Sequence, residues 1–97
     1  MFYILEGHEP TPVDDVLAWG NFLTDIDARR VAYTEVPGGY VSTVFIGLDH
    51  NFTSDGPPLL FETMIFGGPH TDYQQRYATW DEAEQGHAVA VALASNP

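Results

Sequence analysis

The sequence predicts an α+β domain: an antiparallel sheet of about four to five strands with two helices, in the order β-α-β-β-β-β-α. Three observations carry this. Residues 30–36, 40–47 and 59–66 are β-rich stretches that follow one another between Pro- and Gly-rich breaks. Such a run reads as a meander of strands rather than alternating βαβ units. One segment near each end, 11–23 and 79–94, repeats its apolar residues at helical spacing. The whole chain has 97 residues, room for a single domain over 1–97, and no repeat, linker or low-complexity tract divides it.

The elements follow in order. Residues 1–5 (MFYIL) are apolar and read as a short strand, and 6–11 as a polar connection. Thr11-Pro12 then looks like a helix start, with Thr11 as cap, Pro12 in the first turn, and Asp14 and Asp15 at the positive end of the dipole. Val13, Val16, Leu17 and Leu23 continue it at helical spacing, flanked by Trp19 and Phe22. RVAYTEV and YVSTVFIG, joined by Pro37-Gly38-Gly39, predict a hairpin. Val44-Phe45-Ile46 does not alternate, so that strand is expected to be central and covered on both faces. LDHNFTSDGPP is a long turn-rich loop, and LLFETMIF another strand. The more polar 73–78 is expected at a sheet edge. Thr79 with Glu82 forms a capping-box pattern before the last helix. Trp80, Ala83, His87, Ala90 or Val91, and Ala94 share one face of it, and the all-round apolar 88–94 is expected to be buried by sheet or partner.

Composition removes several function classes. Fourteen Asp and Glu oppose three arginines and no lysine, for a net charge of −11. Duplex binding needs cations to neutralise phosphates, so direct nucleic-acid binding is not expected. A polybasic membrane anchor is excluded on the same ground, and no apolar run approaches a membrane span. The absence of cysteine removes thiolate metal sites and cysteine nucleophiles. The start of the chain lacks a basic, apolar leader, and a cytoplasmic location is the expectation. No phosphate loop, dinucleotide fingerprint, nucleophile elbow or HExxH is present, so no catalytic residue, metal or cofactor is assigned.

Asp49, His50, Glu62 and His87 are the candidate binding residues. Asp49 and His50 stand at the end of the expected central strand, where polar groups are held rigidly. With Glu62 they make a carboxylate–imidazole set able to bind zinc or manganese or to do acid–base work. The competing reading gives Asp49 and His50 to turn capping and loop hydrogen bonds. Glu62, inside an apolar strand, needs a partner, and Arg29, Arg30 and Arg76 are the available cations. His87, on the face of Trp80 and Ala83, reads as a packed histidine bonded to backbone more readily than as a ligand.

The stretch 41–68, VSTVFIGLDHNFTSDGPPLLFETMIFGG, followed by RYATWDEAEQGH at 76–87, resembles a family of short, acidic, uncharacterised phage and prophage proteins. It covers about half the chain. The resemblance implies a phage or prophage accessory protein working in the cytoplasm of a bacterial host, and it brings no assigned activity. Small acidic phage proteins are often inhibitors of host machinery, anti-CRISPR proteins included, so the first expectation is a non-enzymatic protein that binds a host or phage protein through its acidic surface. The alternatives are a small metal-dependent enzyme using Asp49, His50 and Glu62, and a homodimeric structural or virion assembly module. The charge alone separates these weakly, because Asp14, Asp15, Asp81 and Glu82 have local duties at expected helix starts.

Overall fold

A computed structural model describes residues 1–51, 53 and 55–95. Among these residues are six strands and three helices: β1 (Phe2–Glu6), β2 (Glu9–Val13), α1 (Val16–Leu23), α2 (Ile26–Arg29), β3 (Arg30–Val36), β4 (Gly39–Phe45), β5 (Phe61–Phe66), β6 (Gln74–Tyr77) and α3 (Trp80–Ser95). The expected α+β class and the antiparallel meander are present. The four consecutive strands β3-β4-β5-β6 form one antiparallel sheet, with β6 at its edge.

The N-terminal part departs from expectation. Residues 9–13 form β2 rather than a helix start, and β1 and β2 make a separate two-stranded sheet. Gly7 explains the hairpin. Its φ of 63° is followed by a residue with negative φ, which fits the Gly-X turn that matches strand twist. Tyr3 donates its N–H to Gly47 rather than to β2. The Tyr3–Pro12 pair is therefore a non-hydrogen-bonded position of the ladder. The missing N–H of Pro12, and of Pro10 at the same parity, costs that ladder nothing. The helix begins instead at Val16, capped by Asp15, whose side chain accepts from Leu17 and Ala18. The short α2, capped by Asp25, was not expected.

α3 lies across one face of the four-stranded sheet, in contact with all its strands. The Thr79 half of the expected capping box is present: the Glu82 N–H donates to the Thr79 hydroxyl at 3.1 Å, and that hydroxyl donates to the Glu82 carboxylate at 3.2 Å. Ala83, His87, Ala90 and Ala94 are its buried face. The rest of 88–94 is not enclosed, since Val89 and Leu93 point outward, 62% and 38% exposed.

The core has two parts. Val41 and Ile65 pack under Ala90 and Ala94, while Leu5, Phe45, Leu60, Phe61 and Ala83 form the other, with Phe22 against it. β4 alternates, contrary to the expectation of burial on both faces. Val41, Thr43 and Phe45 are buried towards α3, and Tyr40, Ser42 and Val44 are only half-buried on the other side. The full burial of Phe45 beside a half-buried Val44 shows why an unbroken apolar triplet is a poor guide to coverage.

Candidate functional site

The strand register sorts the candidate residues. Val44 pairs with Glu62, and Thr43 with Thr63. Glu62 is therefore on the face away from α3, together with Met64 and Phe66, while Thr43 and Thr63 lie under the helix. His87 reaches that inner face from α3. Glu62 and His87 thus stand on opposite sides of the sheet. Asp49 and His50 lie in the loop after β4.

Each of the four has a local task. One Asp49 carboxylate oxygen accepts the N–H groups of Asn51 (2.7 Å) and Leu59 (3.0 Å). His50 Nδ1 donates to the Leu48 carbonyl at 2.7 Å, and its backbone N–H donates to Leu59. Asn51 adds bonds to the Asp55 and Pro57 carbonyls. The GLDHN segment thereby closes its own loop in the Asx manner. Glu62 accepts from Arg76 Nε at 2.9 Å and from Gln74 at 3.0 Å, so Arg76 is the partner among the three arginines considered. Among the described residues no group of three or more His, Asp or Glu side chains is placed to hold a metal ion.

His87 is buried, but its partners are side chains and not backbone. Its Nδ1 lies 2.7 Å from the Thr43 hydroxyl and its Nε2 lies 2.9 Å from that of Thr34, while Thr43 and Thr63 are 2.6 Å apart. Either neutral tautomer satisfies this chain, with one ring nitrogen donating and the other accepting. Burial lowers the pKa of the imidazole below its usual value. Burial likewise raises that of the Tyr77 phenol. The arrangement anchors α3 to the sheet, with His87, Thr43 and Thr63 buried and Thr34 half-buried at its outer end.

Two surface features were not read from the sequence. The first is the face of the sheet away from α3. Tyr33, Tyr40 and Phe66 form a continuous row there, with ring centroids 5.2 and 4.9 Å apart. Met64 and Val44 lie beside the row, and Arg30 sits over Tyr33 at 5.8 Å. Tyr33 and Phe66 are 47% and 37% exposed. The signal was available in the alternation of β3 and β5, where Tyr33 and Phe66 fall at outward positions. The second is a cleft of about 570 Å³ between the β1–β2 turn and the start of α3. The turn brings His8 onto Trp80, about 70 positions away in the chain, so no local pattern announces it.

Compared with known proteins, the chain matches no family model, and no curated protein or solved structure shows significant similarity to it. No helix among the described residues is long and apolar enough to cross a membrane.

Proposed function

We propose that this chain is a small, non-enzymatic accessory protein of phage or prophage origin that acts in the host cytoplasm by binding a host or phage protein. The observation that supports a binding role is the aromatic row Tyr33–Tyr40–Phe66, on the sheet face opposite α3 and partly exposed. Aromatic side chains supply large contact area at interface centres. The net charge of −11 favours a partner with a basic surface, because long-range attraction speeds encounter with it and repels acidic competitors. A defence inhibitor that occludes a basic nucleic-acid-binding surface, as an anti-CRISPR protein does, is the subclass in view. The phage setting comes from the sequence resemblance alone.

The test is capture from bacterial lysate by immobilised wild-type protein and by a Tyr40→Ser/Phe66→Ser variant, at about 50 mM and about 500 mM salt. Circular dichroism checks that the variant is folded. The expected result is a basic protein held by the wild type, weakened by salt and lost by the variant. Absence of any partner at low salt, or equal capture by both proteins, overturns the reading. Light scattering on the free protein checks the rival homodimer, which a strict monomer at tens of micromolar excludes.

A further inference from the structure

The cleft at the β1–β2 turn has the size of a ligand pocket, about 570 Å³ against the usual 300–1,000 Å³. Tyr3 and Trp80 give it aromatic walls, and Glu6, Glu9 and Asp81 line it with carboxylates. Among the described residues none of these three carboxylates is in an ion pair. The arginines are committed elsewhere: Arg29 to the Phe45 and Leu23 carbonyls, Arg30 to Asp27, and Arg76 to Glu62.

One contact shows what the indole face accepts. The His8 ring lies on Trp80 with centroids 3.7 Å apart and planes within 5°. That is a flat, nitrogen-bearing group in parallel stack, held by an exposed residue of a two-residue turn. A guanidinium has the same shape, carries a permanent charge, stacks on Trp more favourably than on other rings, and bonds carboxylates in a bidentate manner. Lysine offers the charge without the planar stack.

From this geometry we infer that the cleft receives an arginine side chain presented by a partner polypeptide, which displaces His8 from the indole of Trp80 and pairs with Glu6, Glu9 and Asp81. The partner is thus recognised by an exposed arginine, at a place separate from the aromatic row. The cleft opens at the start of α3, on the side of the sheet that the helix covers. The inference deepens the protein-binding reading and rests on it, but its test does not use the open sheet face.

The experiment is an NMR titration of the isotope-labelled protein with an acetylated, amidated tetra-arginine peptide at low salt, following the two indole N–H resonances. A Trp19→Phe variant assigns them. The expected result is a saturable shift of Trp80 with Trp19 unmoved. Glu9→Gln/Asp81→Asn should weaken binding about fivefold or more, tetra-lysine should bind at least about threefold more weakly than tetra-arginine, and His8→Ala should bind more tightly. Tyr40→Ser/Phe66→Ser should titrate like the wild type, so failure of the open-face reading would leave this result standing. A Trp80 resonance that does not saturate, indifference to Glu9→Gln/Asp81→Asn, or equal binding of tetra-lysine overturns the inference. Arginine amide binding as tightly as the peptide overturns the assignment to a polypeptide, and weaker binding of His8→Ala overturns the displacement.

Discussion

Lowering the pH from about 7.5 to about 5.5 is expected to destabilise the protein through His87. In the unfolded chain this imidazole takes up a proton near pH 6.5. In the native state burial under α3 holds the pKa lower, and neither described ion pair offsets a charge there. Between the two values the unfolded state binds more protons. The stabilisation is therefore complete above about pH 6.5, falls as the pH drops, and levels off only below the native pKa. One proton sets the steepest slope, about 1.4 kcal/mol per pH unit, and this is the ceiling on the loss per unit below about pH 6.5. Protonation does not break the hydrogen bonds, since both ring nitrogens then donate to Thr34 and Thr43. The cost is that of charging a buried ring. Urea unfolding followed by tryptophan fluorescence measures it at about pH 7.5, 6.5 and 5.5 in wild type and His87→Gln. The variant should be less stable throughout but should lose the His87 part of the slope. His8, His50 and His70 are common to both proteins and cancel in the difference. Parallel pH profiles for the two proteins would refute the argument.

Gly86→Ala should destabilise by about 1–3 kcal/mol, because a Cβ there overlaps the Tyr77 ring across the α3–sheet contact; a thermal melt should fall by roughly 4–8 °C per kcal/mol, and an unchanged melt would contradict the packing described. Asp49→Ala removes the acceptor shared by the Asn51 and Leu59 N–H groups and should cost about 1–2 kcal/mol in urea unfolding, with Asp49→Asn recovering most of it because its carbonyl oxygen still accepts. Failure of Asn to recover it would mean that the charge of Asp49, and not its hydrogen bonding, matters.

The meander and the last helix were legible because local signals there agree with the global fold. Pro37-Gly38-Gly39 sets a hairpin, RVAYTEV and LLFETMIF are strong strands, and Thr79–Glu82 announces a helix. The β1–β2 hairpin was not, because Thr-Pro-Val-Asp-Asp carries real helix-start chemistry. Asp15 does cap a helix, but the segment before it gains more by pairing with β1. Of the candidate residues, the sequence identified four side chains with structural consequence, grouped Asp49 and His50 with Glu62, and read His87 as a packed histidine. Glu62 and His87 are separated by the sheet itself, a fact fixed by which parity of β5 faces α3. The His8–Trp80 stack depends on a turn meeting a helix start far along the chain, beyond the reach of any local pattern.

One backbone carbonyl joins the two sheets. Gly47 accepts from the Tyr3 N–H at 2.8 Å and from the Trp19 indole at 3.0 Å. It is buried at φ 72°, and a Cβ would press on the Trp19 indole nitrogen and the Tyr3 carbonyl. Strand β1 and helix α1 thus meet on one acceptor of the meander, beside the Phe2–Leu48 bridge and the Arg29 side chain that spans the Leu23 and Phe45 carbonyls, and the Leu5 and Phe22 side chains pack into its core. A structure fastened in this way has a natural order of opening. The segment before β3 can release as a unit while the sheet and α3 stay closed, and the Tyr3 amide and Trp19 indole should then exchange their protons with solvent at one common rate, faster than the amides of β4 and β5.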